Sequence, residues 1–379
     1  MKSRKIWLIA FEFAPFPGGQ GTYATEITKA FSELGHEVNV ICPQYPGAED
    51  TLVPAATVHR KFIHQKMRLG DLASIAKLIG RGGSADLILC CDIRASLCVS
   101  ALPWLRRVPT IAMFHGGEAL HAEQGALGKL ALRLGVVGKR SLVANSRYSA
   151  QLVIKHTGRQ CAAIPLGVSD YWLRELNPAC QEFENSELSS LPKAEKLVCL
   201  VGRLERRKGH LTALAVAKRI NELIPHGWHM IFAGRVEDSA YAAEVQREVD
   251  ATPNVLYVGQ LSRSDIHLLY SRSRLLLLPA KTEPKHIEGF GLVILEAAAR
   301  GAPAVATDVG GIADALIDGE TGILCEEGEI GDLTSAVHKF LTDDACHESA
   351  SQNALLFALR STWTSVAEKT VDAIFRNEN

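Results

Sequence analysis

Residues 288–301 read Glu288-Gly-Phe-Gly-Leu-Val-Ile-Leu-Glu296-Ala-Ala-Ala-Arg-Gly301. A continuous apolar run at 275–279 precedes it, and another at 302–306 follows. A buried strand, a loop with two glycines, a helix opening near Gly291 and a second buried strand make one unit of a parallel sheet covered on both faces.

The same alternation fills almost the whole chain. Upstream lie further apolar runs at 197–201, 229–233 and 254–258, with helical segments between them. An earlier series runs through 6–11, 38–42, 86–91, 110–115 and 141–145. A Gly/Pro-rich loop at 15–21 follows the first of these. The helix after it shows one buried face, Tyr23, Ile27, Ala30, Phe31 and Leu34, and Gly35 is placed to end it in a left-handed conformation. A polar, proline-containing stretch at 177–196 separates the two series. The pattern predicts an α/β protein of two doubly wound, Rossmann-like domains facing each other across a cleft. Their expected bounds are 1–170 and 197–361, with a linker at 171–196. A terminal helix at 362–379 could pack on either domain, the first included.

Composition agrees with that size. A chain of 379 residues suits two domains of ~100–200 residues each. An apolar fraction of 47% and a charged fraction of 22% exclude a disordered chain, a collagen and a coiled coil. No run approaches the ~20 apolar residues of a membrane span. The apolar run after Met1-Lys-Ser-Arg-Lys is cut by Glu12 after six residues, so it reads as a strand and not an export signal. The nine cysteines form no Cys-x-x-Cys pair and read as buried, reduced thiols of a cytoplasmic protein. The net charge of −1 hides an asymmetry: residues 1–165 carry 20 Lys+Arg against 11 Asp+Glu, and the rest 21 against 31. Arg60, Lys61, Lys66, Arg68, Lys77 and Arg81 concentrate the excess at 59–81 against Asp71 alone. Such a patch attracts lipid head groups, phosphorylated acceptors or nucleic acid, or is a solvated face with no partner.

Ligands of doubly wound sheets sit beyond the carboxyl ends of the strands. After the first strand, Pro17-Gly-Gly-Gln-Gly21 lets a ligand approach the backbone, and the helix start offers N–H groups to an anion. It is not Gly-x-Gly-x-x-Gly, and a plain tight turn is the competing reading. His115-Gly-Gly-Glu118 sets a histidine at a strand end, where a catalytic and a structural role are both open. Val201-Gly-Arg-Leu-Glu-Arg-Arg-Lys-Gly209 puts Arg203 and Lys208 at a strand-to-helix junction, a fork and a point charge suited to a diphosphate. Arg206 and Arg207 read as solvated surface charges. In the deciding stretch, the N–H groups of Gly291, Leu292 and Val293 face an anion with the helix dipole behind them. Glu288 lies in the loop and Glu296 on the helix, one turn beyond Leu292. Two acids beside an anion are costly unless they bind hydroxyl groups, as sugars would supply. A paired-carboxylate hydrolase is the rival, but it needs no phosphate cradle.

This combination resembles the retaining nucleotide-sugar glycosyltransferases of the two-domain GT-B fold, glycosyltransferase family 4 (glycosyl transferases group 1). The likeness is strongest over 197–327, good over 6–40 and loose over 44–83. It implies that Glu288 holds hydroxyls of the donor sugar and Glu296 those of the ribose, with Gly289, Phe290, Gly291, Leu292 and Val293 between them. Arg203 and Lys208 match the diphosphate-binding pair, Gly18 and Gly19 the loop that closes over the phosphates, and His115 the histidine that touches the transferred sugar. Gly259-Gln-Leu261 matches a segment that grips the base. The resemblance further implies a UDP-sugar donor ahead of a GDP-sugar, no cofactor, no metal ion and transfer to a hydroxyl acceptor in polysaccharide or glycolipid assembly. The basic Arg60, Lys61, Lys66 and Arg68 suit an anionic, lipid-linked acceptor or a peripheral membrane contact on the cytoplasmic side, with no nucleic-acid partner. A sugar-nucleotide epimerase and a non-catalytic nucleotide-sugar-binding protein are the alternatives. Two departures stand out: a long loop at 280–287 containing Lys285 and His286, and Leu166 where many relatives carry Asn.

Overall fold

The structure, a computed structural model, describes residues 3–15, 18–45, 53–63, 66–82, 84–138, 140–175, 182–190, 196–284 and 286–375. The chain divides into two compact units, Met1–Gly167 with Thr362–Asn379, and Val168–Ser361.

In the first unit, strands β1 (Lys5–Ile9), β2 (Glu37–Pro43), β3 (Thr57–Phe62), β4 (Leu87–Cys90), β5 (Thr110–Phe114), β6 (Arg140–Ala144) and β7 (Ala162–Ala163) form one parallel sheet ordered β3-β2-β1-β4-β5-β6-β7. Helices α1 (Gly19–Glu33), α2 (Leu69–Arg81), α3 (Ile93–Ser100), α4 (Gly117–Glu123), α5 (Ala126–Gly135) and α6 (Arg147–Thr157) connect the strands. The second unit holds α7 (Asp170–Leu173), α8 (Ser186–Ser189), β8 (Lys196–Val201), α9 (His210–Leu223), β9 (Trp228–Ala233), α10 (Ser239–Asp250), β10 (Val255–Tyr257), α11 (Arg263–Arg272) and β11 (Ser273–Leu278). It continues with α12 (Leu292–Ala298), β12 (Ala304–Thr307), β13 (Gly322–Cys325), α13 (Ile330–Thr342) and α14 (Asp344–Arg360). Its parallel sheet is ordered β10-β9-β8-β11-β12-β13. The last helix, α15 (Trp363–Phe375), belongs to the first unit: Trp363 meets Tyr23 of α1 edge-on at 5.9 Å, and Ser141 bonds the Ala373 carbonyl.

Continuous apolar strands give each sheet two covered faces. In the second unit Val198, Leu200, Phe232, Leu275 and Leu277 pack against Ala213, Leu214 and Ala217 of α9 and Val337 and Phe340 of α13. Fully burying each large apolar side chain is worth ~1.5–3 kcal/mol, so these layers fix where the strand ends emerge. Three strands escaped the sequence pattern. β3 is a half-exposed polar edge (Thr-Val-His-Arg-Lys-Phe), β7 has two residues, and β13 is a short edge opening on glycine. None presents a long apolar run.

The division of the chain also departs from expectation. The second unit begins at Val168, and the start of the expected linker is packed structure: Trp172 is buried, stacked on His267 and edge-on to Tyr270. No disulfide joins the described cysteines, and Cys180 lies outside the described residues. Among the described residues no helix is long and apolar enough to cross a membrane.

Candidate active site

In the second sheet, successive strands run outward from β8 in one direction and from β11 in the other. The crevice at such a reversal point is where doubly wound sheets bind ligands. The loops leaving β8 and β11 therefore frame that crevice. They approach very closely: a Cβ on Gly209 would lie 1.8 Å from the Pro279 carbonyl oxygen, and Gly209 has φ +73. Only glycine fits there. Glu288 is pinned through its backbone, its carbonyl accepting from Gly311 at 2.9 Å, and a Cβ on the neighbouring Gly310 would lie 2.3 Å from that oxygen.

This packing brings Lys208 and Glu288 together. Glu288 Oε2 accepts from Lys208 Nζ at 2.6 Å and from Arg207 Nη1 at 2.5 Å. Arg207 also pairs with Glu205 at 2.7 Å. Arg203 is 40% exposed and reaches Glu205 at 3.2 Å and Glu237 at 3.5 Å. Burial alone pushes the Glu288 carboxyl up, but Lys208 and Arg207 together outweigh it and hold it down at about 2. Lys208 is pushed below the ordinary lysine value by burial, with Glu288 opposing. Arg207 is raised, because Glu288 and Glu205 overcome its burial. The result is a buried carboxylate, ionised at neutral pH, fixed between two cations, with a third, more accessible cation at the rim. Arg207 thus corrects the expectation of a surface charge. The turn Arg206–Lys208 points successive side chains in different directions, so Arg207 faces Glu288. Arg206 does lie outside, over the Tyr241 ring at 5.1 Å.

Glu296 occupies the second turn of α12. Burial pushes its carboxyl up to about 7, while hydrogen bonds from Tyr270 (3.3 Å to the hydroxyl) and Trp172 and the charges of Arg263 and Lys208 pull the other way. Arg263 stacks over Tyr171 at 3.9 Å and Trp172 at 5.4 Å. Sequence reasoning missed this aromatic wall, because Trp172 precedes its partners by some hundred residues. Gly291 (φ +88) caps the start of α12, Leu292 and Val293 open it half-buried, and Phe290, between Gly289 and Gly291 in sequence, is buried. At the end of β10, Gly259 (φ +70) accepts from Gly234 at 2.7 Å, and Leu261 is buried. In the loop after β11, Glu327 clamps Thr282 through its N–H (2.8 Å) and hydroxyl (2.6 Å). His286 is exposed, and Lys285 lies outside the described residues. Leu166, in the first unit, is buried apolar packing.

The remaining candidates lie in the first unit. Gly18 is extended and caps α1, and space around Gly19 is open. His115 leaves β5 with Nε2 2.9 Å from the Cys91 carbonyl and its ring edge-on to Tyr23 at 5.1 Å. Glu118 ties these two loops together: one oxygen accepts from the His115 N–H (3.0 Å), the other from the Gln20 amide (3.3 Å). Arg94 extends the network to Gln20, Glu12 and Asp92. Arg60 corrects another expectation. It turns inward, donating to the Ala14 and Pro43 carbonyls at 3.1 Å over the Phe13 ring, and closes a loop instead of facing a partner. Lys61, Lys66 and Arg68 are exposed, Arg68 beside Asp71 at 3.8 Å. No group of three or more His, Cys, Asp or Glu suited to a metal occurs among the described residues.

Residues 181–356 match the family described as Glycosyl transferases group 1, and residues 17–170 match Glycosyltransferase Family 4. The chain is 26% identical over 405 residues to a glycogen synthase of Mycobacterium tuberculosis, covering 97% of this chain and 93% of that one. Among solved structures it resembles sucrose-phosphate synthase from Thermosynechococcus elongatus, with TM-score 0.77, 20% identity and coverage of 99% and 98%. It also resembles Anabaena HepE in complex with UDP-glucose, with TM-score 0.76, 20% identity and coverage of 98% and 100%. These structures share its fold.

Proposed function

We infer the reaction from one premise: the chain belongs to the glycosyl transferases group 1 family, with a Glycosyltransferase Family 4 domain ahead of it, and is a glycosyltransferase of the GT-B fold. The proposed reaction moves a sugar from a nucleoside-diphosphate sugar, UDP-linked ahead of GDP-linked, to a hydroxyl acceptor with retention of configuration. The observation that carries it is the buried Lys208–Glu288–Arg207 cluster at the reversal point of the second sheet. A diphosphate arriving there meets Arg203 at the rim and the remaining N–H donors of Lys208. Both sit in place before charge develops on the leaving group. Glu288, kept ionised and with both cations on Oε2, presents Oε1 to sugar hydroxyls. Glu296 takes the ribose hydroxyls, and the 259–261 segment takes the base.

The barrier lies in breaking the bond between anomeric carbon and diphosphate while the acceptor hydroxyl attacks. The leaving phosphate takes the acceptor proton on the same face, so no enzyme nucleophile is needed. Arg203 and Lys208 supply the positive charge that a metal ion would otherwise bring. Gly18, Gly19 and His115 are assigned to the phosphate-closing loop and the transferred sugar through the family likeness. The UDP preference draws on the solved HepE complexes, which hold UDP and UDP-glucose. The exposed Lys61, Lys66 and Arg68 favour an anionic acceptor, and free thiols at the described cysteines suit a cytoplasmic location.

The test is transfer from UDP-, GDP- and ADP-sugars, with and without acceptor extracts, in the presence and absence of EDTA. Acceptor-dependent, EDTA-insensitive transfer with retained anomeric configuration is expected. Conversion of donor to another sugar without acceptor would make the protein an epimerase, and nucleotide-sugar binding without turnover would make it a binding protein.

A further inference from the structure

Helix α5 exposes the wrong residues for a water-facing surface. Leu127, Leu130 and Leu134 are 83%, 53% and 46% exposed. At roughly 100° per residue these three fall within one narrow stripe of the helix; exposed Arg133 lies about 60° from Leu130 at its edge, and exposed Lys129 about 40° further round on the same side. The stripe cannot roll inward. The opposite side buries Leu132 and Gly135, and a Cβ on Gly135 would lie 2.4 Å from the Ile93 side chain of α3.

The surroundings repeat the same chemistry. Ser100 donates to the Leu134 carbonyl at 2.7 Å and accepts from Arg106 at 2.9 Å, which fastens the turn Pro103–Arg107 against the end of α5. That turn carries Trp104, 45% exposed, and the exposed Arg107. On the other side of α3, an apolar pocket of about 200 Å³ opens beneath Met67 and Leu69, the latter 85% exposed.

We propose that this face of the first unit docks on an anionic lipid bilayer. The leucines enter the acyl boundary, and Lys129, Arg133 and Arg107 meet the head-group phosphates. Charge decides the occupant: residues 1–165 hold 20 basic against 11 acidic side chains. A two-fold contact between two such faces would set like charges against each other. This bilayer contact is independent of the donor-site reading and centres on α5 in place of the basic side chains of 59–81, of which Arg60 faces inward.

The experiment is co-sedimentation of the full chain with vesicles of phosphatidylcholine alone or with about one-third phosphatidylglycerol, at low and high salt. Anionic vesicles should capture the protein at low salt. Leu127→Gln/Leu130→Gln/Leu134→Gln should weaken partitioning at least ~30-fold, and Lys129→Glu/Arg133→Glu at least ~10-fold, with the melting temperature and soluble donor turnover unchanged. Failure of the wild type to bind anionic vesicles, or undiminished binding of the leucine variant, would overturn the proposal. So would a wild-type dimer in sedimentation velocity that the leucine variant abolishes, because the face would then be a self-contact.

Discussion

Arg206→Ala and Arg207→Ala exchange adjacent residues of one type, yet the structure predicts very different outcomes. Arg207 is nearly buried and pairs at 2.5 Å with Glu288 and 2.7 Å with Glu205. Breaking a buried ion pair costs ~3–5 kcal/mol, but Lys208 stays on Glu288, so about 3 kcal/mol is expected. At ~2–4 °C per kcal/mol, the melting temperature should fall by about 6–12 °C. Arg206 is 54% exposed, 3.5 Å from Glu244, and its loss should stay within ~0.5 kcal/mol. A pH series adds a second signature. Glu288 is held at about 2 against an ordinary 4.5, so its contribution is complete above pH 4.5 and lost as pH falls toward 2. Without Arg207 that carboxyl rises, and acid unfolding should begin at higher pH. Melting curves of both variants and the wild type from neutral pH down to pH 3 provide the assay. Equal melting of Arg207→Ala and Arg206→Ala at every pH would refute the buried cluster.

Lys208→Ala and Glu296→Ala should each reduce transfer at least ~10²-fold in steady-state assays, the scale for losing a charge-stabilising group. Glu296→Gln should flatten the stability–pH curve. The native carboxyl, raised to about 7 by burial, holds its proton longer than the unfolded one, so wild-type stability falls from pH 4.5 to 7 and the variant's should not. Gly209→Ala should lower the melting temperature by more than any exposed-site variant, since its Cβ would enter the Pro279 carbonyl.

The two-sheet architecture was legible because every central strand is an apolar run that water excludes from both faces. Glu288, Arg203 and Lys208 could be singled out as candidates because each follows a strand end, and Glu296 because it sits one turn into the helix that Gly291 caps; the structure pairs Lys208 with Glu288. Polar edge strands such as β3 carry no such periodic signal, and Trp172 looked like linker because its partners Tyr270 and His267 are distant in sequence. Arg207 was misread for a different reason. Neighbouring arginines look alike until the turn geometry decides which one faces a buried acid.

The most direct test is a crystal structure of the chain with UDP-glucose. Diphosphate oxygens are expected within hydrogen-bond distance of Lys208 Nζ and the Arg203 guanidinium, and a sugar hydroxyl on Glu288. A nucleotide bound elsewhere, with Lys208 and Glu288 paired only to protein, would contradict it.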